Sequence, residues 1–197
     1  TSPSSSAIPE NTDEAYGKAL YAYEAKETKE LSFHVGDILT IVRITESGWW
    51  EMELKGKQGW VPSNYVELIK QKKISFSARI TLLNNYLISY YQKKADSNFY
   101  HDLSQPEREV FFKSAKKGTF LFCPSTQANS VDLYYKLENE VEQGTLELSD
   151  DGKLLTLSDG DSYSLVSYFA RYSYQLLIPI NVEDLKQATA KLNSSVT

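Results

Sequence analysis

The spacing of hydrophobic and polar positions changes several times along the 197-residue chain. Residues 1–15 are Ser, Pro and acids with almost nothing to bury, which predicts a disordered tail. From 16 to 69, apolar residues come in short runs separated by Gly, Ser and charged positions. Residues 19–23 read as a short strand and 24–30 as a charged loop. Residues 37–44 are rich in β-branched side chains between Gly36 and Ser47-Gly48, and 49–54 start another strand. A glycine-bearing turn over 55–59 leads into Trp60-Val61. Five short strands joined by tight turns predict a small all-β barrel.

The period then lengthens. Ile80, Leu83, Leu87, Tyr90 and Tyr91 form one apolar stripe, predicting a helix over 78–94 within a linker, 70–98, and packing on a neighbouring domain. The basic run Lys70, Lys72, Lys73 reads as solvated linker. Over 99–181 the types alternate. A helix is expected at 105–114, with Ser104 as cap and Pro106 in its first turn. Strands are expected at 118–123, 132–137, 144–148 and 153–157, then a helix at 164–172 and a strand at 176–180. A central antiparallel sheet flanked by two helices is an α+β sandwich. Residues 182–197 read as a C-terminal helix and frayed tail.

Composition narrows the function classes. Hydrophobic content is 41% and charged content 24%, ordinary for a soluble two-domain chain. A net charge of −5 argues against nucleic acid as partner. The single Cys123 rules out an internal disulfide and points to a reducing compartment. With no apolar run of about 18 residues and no leader pattern, the expected location is cytoplasmic and no membrane partner is expected.

Nothing points to catalysis, a cofactor or a metal. His34 and His101 have no motif around them, and Cys123 sits in a candidate buried strand. Asp150-Asp151 and Asp159/Asp161 read as turn acids. The informative feature is aromatic: Tyr21, Tyr23, Trp49, Trp60 and Tyr65 fall within about 50 residues, more flat surface than so small a core hides. Exposed aromatic surface marks a binding face.

The segments ALYAY, ELSFHVGD, WWE and GWVPSNYV resemble, in order and spacing, the signatures of Src-homology 3 domains. That resemblance implies a groove for proline-rich peptides in the polyproline II form, a preformed ligand matched by flat walls. It implies that Tyr21, Tyr23, Trp49, Trp60, Pro62 and Tyr65 line the groove, that Asn64 bonds a peptide carbonyl, and that Glu30 pairs with a basic ligand residue. Glu24, Glu27 and Glu46 would add to the negative field. Ala22 stands where the family usually has Asp, and Thr28 and Lys29 dilute the acidic loop. No two of the six prolines are three apart, so the ligand is expected from another protein or from a part of the parent outside these residues.

The second half resembles Src-homology 2 domains. Residues 118–125 resemble the family's GTFLVRES strand, Ser164-Leu165 with Tyr168, Phe169 and Tyr172 its second helix, and 176–179 its closing strand. Here the departures matter. Cys123 replaces the arginine whose bidentate guanidinium holds phosphotyrosine. Gln105 stands for the helper arginine and Gln143 for the histidine, leaving Ser125 and Thr126 as loop hydroxyls. The resemblance therefore implies a degenerate pocket with little or no phosphotyrosine binding, unless Arg108 and Lys136 rebuild it. The competing fold is a pleckstrin-homology-like barrel closed by 182–192, with Lys116, Lys117 and Lys136 as its basic residues. The expected function is a non-catalytic adaptor or scaffold. The rival is a regulatory fragment of a larger kinase or exchange factor.

Overall fold

The computed structural model describes residues 13–69, 73–92 and 98–194. In chain order the elements are β1 (Ala15–Ala19), β2 (Ile38–Ile44), β3 (Trp49–Leu54), β4 (Lys57–Pro62), a short 3-10 turn at Ser63–Tyr65, and β5 (Val66–Leu68). Then come α1 (Phe76–Tyr91), α2 (Gln105–Ser114), β6 (Thr119–Pro124), β7 (Ser130–Lys136), β8 (Val141–Leu148), β9 (Leu154–Thr156) and β10 (Ser162–Ser164). The last elements are α3 (Leu165–Tyr172), β11 (Ile178–Pro179) and α4 (Val182–Ser194). The chain forms two compact units, one from 1–74 with 149–168 and the other from 75–148 with 169–197.

In the first unit, β2, β3 and β4 form an antiparallel meander, and β1 pairs with both β2 and β5. Alternation puts Leu39, Ile41, Met52 and Val61 inside, each with no exposed surface. Leu31, Phe33 and Val66 complete that core. The β3–β4 hairpin turns on two residues, Lys55 and Gly56, both with positive φ. That is the tight form whose twist suits antiparallel strands.

Two expectations change here. The strand read at 19–23 lies earlier: Ala15–Ala19 holds the ladder, and Ala15, assigned to the tail, is buried in it. Residues 1–12 lie outside the described residues. In addition, 149–168 joins the barrel's unit. The β9–β10 hairpin sets β10 against Arg43 and Ile44 of β2, on the edge of β2 that β1 occupies further back. Leu154 enters the barrel core.

In the second unit, β6, β7 and β8 form an antiparallel sheet, and β11 adds parallel to β6. Strand β6 is apolar without alternation because both its faces are covered. Phe120 and Phe122 turn toward Tyr91, Phe99 and Phe169. Leu121 and Cys123 turn toward Phe111 and Phe112 of α2 and Ala188 of α4. Helix α1 is not a linker element: Arg79, Ile80, Leu83, Tyr86 and Leu87 are buried, and the Tyr91 hydroxyl donates to the Leu176 carbonyl at 2.5 Å. Lys70 and Lys72 lie outside the described residues, whereas Lys73 faces Asp150 at 3.6 Å. The alternative barrel closed by 182–192 does not form, because β9 leaves for the first unit and α4 packs beside α2. Among the described residues, no helix is long and apolar enough to cross a membrane.

Candidate functional site

The first unit gathers the expected aromatics around Tyr23. After β1 the backbone leaves the ladder, and Leu20 donates its N–H to the Tyr65 carbonyl at 2.8 Å. Tyr23 then bridges Phe33 by two backbone bonds of 2.9 Å. Its ring stands edge-on to Tyr65 at 5.7 Å and to Trp49 at 6.2 Å, while Tyr21 stands edge-on to Tyr65 at 5.6 Å. Tyr21 is 59% exposed, although a tyrosine ring gains from burial. Trp49 lies opposite Pro62 in the β3–β4 ladder, and the register keeps both on the face away from Met52 and Val61. The result is a row of half-covered rings, with exposed Asn64 beside it in the 3-10 turn. Trp50 points the other way and packs on the core.

The charged loop at 24–30 is fastened to this floor. Trp60 N–H donates to the Lys29 carbonyl at 2.8 Å, and Leu31 N–H to the Trp60 carbonyl at 3.0 Å. A Cβ on Gly59 would meet the Lys29 carbonyl oxygen and the Glu30 carbonyl carbon at 3.0 Å, so this approach needs glycine. Glu30 is an anchor as well as a charge. One of its carboxylate oxygens accepts from Lys26 N–H at 2.7 Å, from the Tyr23 hydroxyl at 2.8 Å and from Glu27 N–H at 3.4 Å. The Lys26 amide and the Tyr23 hydroxyl hold its carboxyl below the usual range. The same bond, with burial, pushes the Tyr23 phenol up to about 12.

Trp60 is the expected groove residue whose surroundings the sequence left unread. Opposite Glu51 in the ladder, it lies on the outer face with Trp49 and Pro62. The Arg43 guanidinium sits 4.9 Å from its ring centre and 5.9 Å from that of Tyr163. Glu51 and Asp161 face Arg43 at 3.4 and 3.6 Å. Arg43 and Tyr163 had no place in the sequence reading, because a contact across 120 residues leaves no local pattern.

The second unit brings Gln105 and Gln143 to one cavity of about 360 Å³, with Arg108, Glu109, Phe112, Tyr134 and Val141. Ser125 is not in its lining; its hydroxyl accepts from Gln127 N–H at 3.2 Å. Cys123 is 1% exposed, and burial pushes its thiol up to about 12. Arg108 is committed: it donates to the Leu103 carbonyl and lies 4.6 Å over the Tyr134 ring. Gln143 donates to Asp132 at 3.1 Å, and Thr145 donates to the same carboxylate at 2.7 Å.

Residues 18–63 match the family described as SH3 domain. The chain is 47% identical over 68 residues to the myosin ID heavy chain of Dictyostelium discoideum, an overlap covering 34% of this chain and 6% of that protein. It is 43% identical over 53 residues to human Rho guanine nucleotide exchange factor 7, covering 27% of this chain and 7% of that one. The C-terminal SH3 domain of myosin IB from Entamoeba histolytica, solved bound to the EhFP10(GEF) peptide, is 48% identical, with 30% of this chain and 100% of that chain covered and a TM-score of 0.28.

Proposed function

With residues 18–63 an SH3 domain, we infer that the chain is a non-catalytic interaction module that grips proline-rich segments of other proteins in the polyproline II form. The observation carrying this is the half-covered row Tyr21, Tyr23, Trp49, Pro62 and Tyr65, held open by backbone bonds on either side. A polyproline II ligand is already ordered, so rigid rings bind it at low entropic cost. Asn64, exposed at the edge, supplies a hydrogen bond to a ligand carbonyl. Peptide binding by the Entamoeba relative supports the reading. Titrating the chain with PxxP peptides tests it. Saturable binding that Trp49→Lys removes is expected; binding that ignores that change overturns it.

The second unit we read as a Src-homology 2-like fold that has lost phosphotyrosine binding. What supports this is helix α2, the β6–β8 sheet and then the second half of helix α3, from Phe169 on, which is the part that falls in this unit, with Cys123 at the position where the resemblance puts the phosphate-binding arginine. A dianion gains most from a free bidentate guanidinium. Here Arg108 is already engaged, and Asp132 stands behind Gln143. No saturable, phosphate-dependent binding of phosphotyrosine peptides is expected. Such binding by the whole chain overturns this part alone.

The parent is an adaptor, a scaffold or a larger signalling or motor protein. The likeness to an exchange factor and to a myosin heavy chain, each overlapped over less than a tenth of its length, supports a module of a larger protein.

A further inference from the structure

Four strands of the first unit place one residue each in a single cross-strand row. Trp60 of β4 faces Glu51 of β3, Glu51 faces Arg43 of β2, and Arg43 faces Tyr163 of β10. Their contacts follow the register: Arg43 lies over both aromatic rings and faces the carboxylates of Glu51 and Asp161. The next row along the same face is Trp49 and Pro62, the floor of the groove. Trp60 is therefore the groove's end ring, and what holds it runs outward to a strand just over a hundred residues further along the chain. Tyr163 is 4% exposed, so that end of the row is fixed. The side chain of Arg43 is 19% exposed, ringed by two aromatics and two carboxylates. Such a guanidinium has little freedom, and a lysine has no planar group to lie on a ring while spanning two acids.

We propose that the β9–β10 hairpin is a specificity element of the groove. Through Tyr163 and Asp161 it holds Arg43 over Trp60, and so shapes the groove end that receives the first residues beyond the ligand's proline-rich core. Arg43 and Asp161 are positioning residues; Trp60 is the contact. The inference rests on the groove binding proline-rich segments, and it adds a source of selectivity outside residues 18–63.

The test uses the whole chain and two probes: a short peptide bearing only a PxxP core, and a library with that core fixed and about four randomised residues on each side. Three tryptophans give three indole N–H signals by NMR. The core peptide is expected to move the Trp49 signal, and the best flanked peptide to move that of Trp60 as well. Asp161→Asn and Arg43→Gln are expected to lower the ratio of flanked to core affinity about fivefold, an effect typical of a contact at an interface edge. Arg43→Lys should not restore it. The inference is overturned if no flanked peptide moves the Trp60 signal, or if the variants weaken both probes alike. If neither probe moves the Trp49 signal, the proline-rich reading itself has failed, a separate and recognisable result.

Discussion

Each unit presents aromatic rings beside polar groups, yet the two surfaces differ in what those groups have left to give. In the first unit, Tyr21, Trp49, Pro62 and Asn64 keep free faces, while the polar work is done underneath by Glu30 and by backbone bonds from Leu20 and Trp60. In the second unit, the cation over Tyr134 already answers a carbonyl, and the amide of Gln143 already answers Asp132. A surface binds with what its own fold has not consumed. By that measure the two are unequal, although both are lined by similar residue types.

The sharpest way to break the contrast is Trp49→Lys. Removing a central ring is expected to lower proline-rich affinity about thirtyfold or more, read by calorimetry, with the unfolding midpoint little changed. In the second unit, Arg108→Ala should leave that affinity untouched. It should cost about 1–2 kcal/mol in denaturant unfolding, because the Leu103 carbonyl loses its donor and Tyr134 its cation. Equal loss of peptide affinity in both variants would erase the distinction.

Smaller effects sharpen it. Tyr23→Phe keeps the ring and removes the bond to Glu30; about a threefold drop in affinity is expected, the size of one modest hydrogen bond. Acidity gives a further check. Because folding depresses the Glu30 pKa, its anchoring contribution is present above the unfolded value of about 4.3 and fades as pH falls through the lower folded value. Because folding raises Tyr23 to about 12, its contribution is present below about 10 and fades as pH climbs through about 12. Peptide affinity should therefore be flat from about pH 5 to about pH 9, as titrations across that range would show. Smallest of all, Cys123 should react with a disulfide reagent only on unfolding, since its thiol is buried and its pKa pushed up to about 12.

The clustering of the aromatics was legible in the sequence because these residues lie close together and their strands alternate: Trp49 and Trp50 turn to opposite sides as their spacing dictates. Helix α2 was legible down to its cap, where the Ser104 N–H and hydroxyl both reach Glu107. Strand β1 was misplaced because the aromatic 19–23 looks more strand-like than Ala15–Ala19, although the latter holds the ladder. The role of Glu30 was half legible: its charge shows in the sequence, its three donors only in the folded loop. What the sequence hid altogether was the destination of β9 and β10. Residues 153–157 read as the fourth strand of a later sheet, β10 does not read as a strand at all, and only long-range pairing sends the hairpin to β2.

That detour has a bearing on how the molecule is made. A ribosome delivers the first five strands well before the hairpin that finishes their edge. For that interval β2 carries an uncovered edge at Arg43 and Ile44, the kind of open margin at which a nascent chain sticks to its neighbours or meets a chaperone.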